Sequence, residues 1–113
     1  MKTRTQLSLT ISLLCLTAVI VHATTPALIW AEDCSRCHGP NGKGQTKMGQ
    51  KLKIRDLTDS KILSTKTDEQ IAAVIANGLK DSEGKELMRP RSEDIPAADR
   101  PALVKYVRAF AGK

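Results

Sequence analysis

The chemistry most plainly written in this chain lies in Cys34-Ser35-Arg36-Cys37-His38. Two thiols three positions apart stand about one helical turn from each other, and an imidazole follows the second directly. Cys-x-x-Cys-His is the spacing for covalent attachment of a c-type haem. Cys34 and Cys37 can reach the two vinyl groups on one porphyrin edge. His38 is then held under the iron and can bind it from one face. Two thioethers keep such a group from dissociating. A small chain that holds haem in this way most often moves electrons.

Other uses of these cysteines fit less well. A structural zinc site takes four ligands, and no second Cys or His pair stands in the chain beyond residue 23. A thiol-disulfide exchange motif needs a βαβ setting, which the hydrophobic pattern lacks. A plain Cys34–Cys37 disulfide suits an oxidising compartment but leaves His38 unexplained.

The N-terminus reads as an export signal. Lys2 and Arg4 give a basic start, Leu7 to Val21 carry no charge, and Val21-His22-Ala23 offers a cleavage site. Cleavage is expected after Ala23, giving a signal peptide over 1–23 and one domain over 24–113. The 15-residue run is short for a membrane span of about 20, which weighs against a retained anchor. Cys15 raises a lipoprotein alternative, but Leu14 is bulky where a small residue is wanted. The expected location is the periplasm, with no stable membrane span after cleavage.

Cleavage would remove Lys2 and Arg4, so the formal charge of +6 falls to +4. The remaining 90 residues hold two cysteines and one histidine, all in the motif, and one each of Trp, Tyr and Phe. Side chains alone offer little bulky apolar surface for a core of this size. A haem would supply it, so the cofactor is expected to be part of the core.

Three segments must position the motif, and each shows helical periodicity. The first begins at Thr25-Pro26, a hydroxyl N-cap before a proline at the first helical position. Ala27, Trp30, Ala31 and Cys34 fall on one face, and Gly39-Pro40-Asn41-Gly42 ends it. The second starts at Thr67, whose Gln70 completes a capping box. Ile71, Val74 and Ile75 line its face, and Gly78 stops it. The third starts near Asp99, since Pro96 and Pro101 both resist a helix interior, and carries Leu103, Tyr106, Val107 and Phe110. Gly39 to Leu57 and Leu79 to Ile95 read as long loops, with a short helix near Asp59 to Leu63. No alternating strand pattern stands out. The expected fold is all-α, helices and long loops wrapped around one haem.

His38 leaves one axial position on the iron. Met48 and Met88 are the candidates among the remaining residues. Met48 comes ten residues after His38, inside the loop leaving the motif. Met88 comes fifty after, beyond the second helix, where a chain passing round the haem edge can reach the other face. Met88 is the expected metal ligand with His38, and Met48 an ordinary side chain.

With these residues in place, the chain resembles the class I c-type cytochromes over nearly all of 24–113. Trp30, four residues before Cys34, lies where that family has an aromatic. Cys34 to Gly39 followed by Gly42 and Gly44 is similar to its haem-binding segment. Ile75-Ala76-Asn77-Gly78 is similar to the turn before its methionine loop. Met88, with Ile95 seven residues on and Tyr106 eighteen on, keeps the family spacing, and Leu103-Val104-Lys105-Tyr106-Val107-Arg108 looks like its terminal helix. The resemblance implies a helical fold around haem c, with first and last helices crossing. The chain departs from the family in three places. Arg89 intervenes between Met88 and Pro90, where proline usually follows the methionine. Pro26 stands where a glycine is common, so the helix crossing is expected to rest on Ala27. Pro101 is unusual inside the last helix.

A six-coordinate iron with no free site points to a monohaem carrier that passes single electrons by outer-sphere transfer, not to an enzyme. No nucleophile–base pair stands beyond residue 23. The alternatives are a haem enzyme or gas sensor, which need an open iron site, and a haem subunit of a larger dehydrogenase or oxidase complex. Between Gly42 and Lys66, Lys43, Lys47, Lys51, Lys53, Arg55, Lys61 and Lys66 face only Asp56 and Asp59. Such a run is either a solvated face or a docking patch that steers an acidic redox partner. Lys53 or Arg55 could instead pair with a haem propionate. No aromatic–basic interleaving suggests nucleic acid.

Overall fold

A computed structural model describes residues 24–113, and the expected signal peptide lies outside the described residues. Among the described residues nine elements follow one another: α1 (Pro26–Ile29), a π-helical turn (Trp30–Cys34), α2 (Ser35–His38), α3 (Lys47–Leu52), α4 (Ser60–Ser64), α5 (Asp68–Asn77), β1 (Leu79–Lys80), β2 (Glu86–Met88) and α6 (Arg100–Arg108). The described chain is mostly helical, with little strand.

The first three elements form one continuous helical stretch. Thr25 Oγ1 accepts from the Leu28 N–H at 3.3 Å, and Pro26 takes a position where no N–H is needed. In the π turn the Ser35 N–H donates to the Trp30 carbonyl, five residues back. The turn therefore holds one residue more than a 3.6-residue helix allows. The buried side consists of Ile29 and Trp30, while Ala27 and Ala31 are exposed. This corrects the expected face, of which only Trp30 and the half-buried Cys34 remain. It also corrects the role given to Ala27: α1 meets α6 through a core that contains Ile29 and Trp30.

Two later helices follow the expected local rules. In α5, Thr67 Oγ1 accepts from the Gln70 N–H at 3.2 Å, and Gln70 Oε1 accepts from the Thr67 N–H at 2.9 Å. Ile71 and Ile75 are buried. Gly78, at φ 71°, ends the helix, and a Cβ there would meet the Met88 carbonyl at 2.2 Å. This close approach seats the Met88 strand on the end of α5. In α6, Asp99 stands at the N-cap and Pro101 falls in the first turn. There a missing N–H removes no helical bond, which accounts for a proline that looked out of place. Leu103, Val104, Val107 and Phe110 are buried. Arg108 binds back to the Asp68 carboxylate and to the Lys66 carbonyl at 2.7 Å.

Three elements were not expected. α3 lies inside the supposed loop Gly39 to Leu57, and β1 pairs with β2 as a short antiparallel ribbon, Leu79 opposite Met88. The ribbon is closed by Asp81, whose carboxylate accepts from the Glu83 and Lys85 N–H groups at 2.9 Å each. α4 forms where a short helix was expected, capped by Asp59.

Candidate haem site

The helical stretch ends by presenting both thiols and the imidazole to one cavity of about 740 Å³. Cys34, Cys37 and His38 line it, and so does Met88 from β2. Its walls are otherwise largely apolar, with Leu57, Ile71, Val74, Ile75, Leu87 and Leu103 among them. Pockets of roughly 300–1,000 Å³ suit an organic group of cofactor size. The structure thus brings together all four residues singled out in the sequence. Met48 is not in this lining. It is 37% exposed and sits in a separate cleft with Arg36, Lys47 and Lys51.

The turn after the motif is tightly built. Gly39, at φ 79°, ends α2, and the Gly44 N–H reaches back to the His38 carbonyl at 2.7 Å. Thr46 Oγ1 donates to the Cys37 carbonyl at 2.7 Å and accepts from the Gly49 N–H at 2.8 Å. One hydroxyl therefore caps α3 and fastens it beneath the motif. Gly49 allows the approach: a Cβ there would meet the carbonyl oxygens of Gly44 at 2.1 Å and Cys37 at 2.6 Å. On the other side, the Trp30 indole N–H donates to the Gly39 carbonyl, and its ring lies 5.6 Å from that of His38.

The donor set suits a haem. Both cysteines are free thiols. Burial, followed by the Asp33 carboxylate, pushes the Cys34 thiol up to about 11, so it is held as the neutral S–H. Burial lowers the pKa of His38, keeping the imidazole neutral, the form that binds a metal. His38 Nδ1 is buried with no hydrogen-bond partner. A neutral imidazole lining an apolar cavity beside two thiols has the donor chemistry of a metal ligand.

Several cations also stand at the cavity. Lys53, Arg55 and Lys66 contribute to its lining and are exposed. Among the described residues, none of the seven basic side chains from Lys43 to Lys66 forms an ion pair with a carboxylate. Arg91 is a different case. It lines the cavity from a buried position, and the sequence reading did not single it out. A charge three residues past Met88, within Arg-Pro-Arg, looks like an ordinary surface residue until its partner Asp33, 58 positions away, is brought alongside.

The family model for cytochrome C oxidase, cbb3-type, subunit III matches residues 22–107. No curated protein matches the chain. Among solved structures, KustC0563 c-type cytochrome is 28% identical, with a TM-score of 0.67, covering 78% of this chain and 99% of its own. A point mutant of that protein is 29% identical, with a TM-score of 0.64, covering 77% and 99%. Matched over most of its length by that family model, and sharing its fold with these structures, the chain belongs to the c-type cytochromes of the cbb3-type subunit III family, which carry covalently bound haem c and transfer electrons through it.

Proposed function

We propose that the chain is a monohaem carrier that passes single electrons by outer-sphere transfer between exported or membrane redox partners. The observation behind this reading is the convergence of Cys34, Cys37, His38 and Met88 on one apolar cavity. Bound haem supplies the one-electron chemistry of its iron. The Cys34 and Cys37 thiols would hold the haem covalently, each through a thioether to one of its vinyl groups. His38 and Met88 would supply the iron's two protein ligands. The soft thioether of Met88 would favour the reduced metal and raise its potential. With both side chains bound, the iron would offer no open site to a substrate.

The chain's other residues serve the same end. The apolar walls exclude water from the cofactor. Lys53 and Arg55, at the cavity, are placed to meet its carboxylates. The remaining unpaired cations from Lys43 to Lys66 attract an acidic redox protein. Periplasmic export, with cleavage after Ala23, is part of the same proposal, because covalent haem attachment in bacteria takes place outside the cytoplasm. The family description favours a second reading, a haem-bearing subunit of a larger oxidase or dehydrogenase complex, which co-purification from membranes decides.

Carbon monoxide added to the reduced holoprotein at neutral pH tests the carrier reading. A closed iron leaves the visible spectrum unchanged over minutes. Prompt, stoichiometric binding means an open iron, and with it a haem enzyme or gas sensor.

A further inference from the structure

Among the described residues, Arg91 is the only charged side chain that is buried, with 8% of its side chain exposed. A buried guanidinium is costly to desolvate, and an apolar residue of similar volume is often as good for stability. Arg91 therefore calls for a reason beyond filling space. Its contacts supply one. The guanidinium pairs with the Asp33 carboxylate and donates to the Asp33 backbone carbonyl at 3.3 Å. Its other terminal nitrogen reaches Asp94 at 3.0 Å. Its backbone N–H donates to the carbonyls of Ile75 and Ala76 at 3.0 and 3.2 Å. The residue is thus fixed at both ends. It stands three positions after Met88, and Asp33 stands directly before Cys34.

The Met88 segment needs outside support. A two-stranded ribbon is marginal by itself, and β2 is three residues long with a bulged register. Arg89 lends little, since its bond to Asp94 at 3.3 Å joins two exposed side chains. The Arg91–Asp33 pair directly joins the segment carrying Met88 to the segment carrying the thiols and His38.

We infer that Arg91 is a positioning residue: through Asp33 it ties the Met88 segment to the Cys-x-x-Cys-His helix, and this tie holds the methionine sulfur on the iron. The inference rests on Met88 being the second axial ligand, as proposed above. Loosening the tie leaves the haem attached but lets an external ligand displace the sulfur more readily.

The test titrates the oxidised holoprotein with imidazole and follows loss of the sulfur-to-iron charge-transfer band. The proteins are wild type, Arg91→Ala, Arg91→Lys, Asp33→Ala and the Arg91→Ala/Asp33→Ala double variant. Arg91→Ala and Asp33→Ala each bind imidazole about tenfold more tightly than wild type. The double variant binds no more tightly than the stronger single, as for two halves of one contact. Arg91→Lys, which keeps the charge, lies between wild type and Arg91→Ala. Wild-type imidazole affinity in both single variants, even with a lowered melting temperature, overturns the inference, because Arg91 is then merely structural. Additive single effects overturn it as well. If Arg91→Ala does not fold, Asp33→Ala alone decides, since the Asp33 side chain is one-third exposed and its loss leaves Arg91 with Asp94. Absence of the band from the wild type is a different failure: Met88 is then not the ligand, and the proposed function loses its distal side along with this inference.

Discussion

The Trp30 indole N–H donates to the backbone carbonyl of Gly39 at 3.1 Å, so a residue four positions before the motif and the residue directly after it are joined. The bond spans the helical stretch that carries both thiols and His38. The Trp30 ring also lies 4.7 Å from Phe110 and 5.9 Å from Tyr106, linking the haem-binding helix to the C-terminal segment.

Trp30→Phe keeps much of this packing and removes the donor. The Gly39 carbonyl still accepts from the Gly42 N–H at 3.2 Å, so the loss is that of one ordinary hydrogen bond plus some ring area. The variant should be about 1–2 kcal/mol less stable, read from denaturant unfolding of the holoprotein. Unchanged stability would mean that the bond contributes nothing.

Gly49→Ala sets two effects against each other. Helix propensity alone favours alanine within α3 by about 1 kcal/mol. The added Cβ, however, would stand 2.1 Å from the Gly44 carbonyl oxygen and 2.6 Å from that of Cys37. Neither partner is a flexible side chain, so overpacking of about 1–3 kcal/mol should win. The variant should unfold at lower denaturant concentration and give a lower yield of holoprotein. A gain in stability would show that α3 does not press on the motif.

Asp56 predicts a pH effect. Its carboxylate accepts from the Thr58 hydroxyl at 2.6 Å and the Thr58 N–H at 2.8 Å, and these bonds hold its pKa below the ordinary 3.8. The folded value is depressed, so the stabilisation is full above 3.8 and is lost as pH falls through the lower folded value. Asp56→Asn should flatten this part of the acid limb of stability against pH, while wild type loses stability there. Identical acid limbs in the two proteins would contradict the assignment.

Lys47 and Lys51 flank the exposed Met48 and pair with no carboxylate among the described residues. Changing both to glutamine should slow association with an acidic redox partner severalfold at low salt, and the difference should vanish as salt screens it. A salt-independent effect, or none, would mean that this part of the basic run is only a solvated face.

The motif, the capping box at Thr67 and Gln70, and the C-terminal helix were legible because each depends on local chemistry. Met88 could be placed at the site because spacing constrains which methionine can return to the cavity. α3 was not legible because Gly49, required by contacts with Gly44 and Cys37, looks locally like a helix breaker. The face of the first helix was misread because the π turn at Trp30–Cys34 breaks the 3.6-residue period on which such a reading depends. Arg91 was passed over because its burial depends on Asp33, 58 residues earlier, a pairing that no local pattern records.

Covalent haem on Cys34 and Cys37 is the claim on which the rest depends, and the intact mass of the denatured protein tests it most directly. Wild type should be heavier than its polypeptide by one haem and remain coloured after denaturation, and Cys34→Ala or Cys37→Ala should retain at most one thioether. Colourless wild-type protein at the bare polypeptide mass, from a host that matures other c-type cytochromes, would contradict the account.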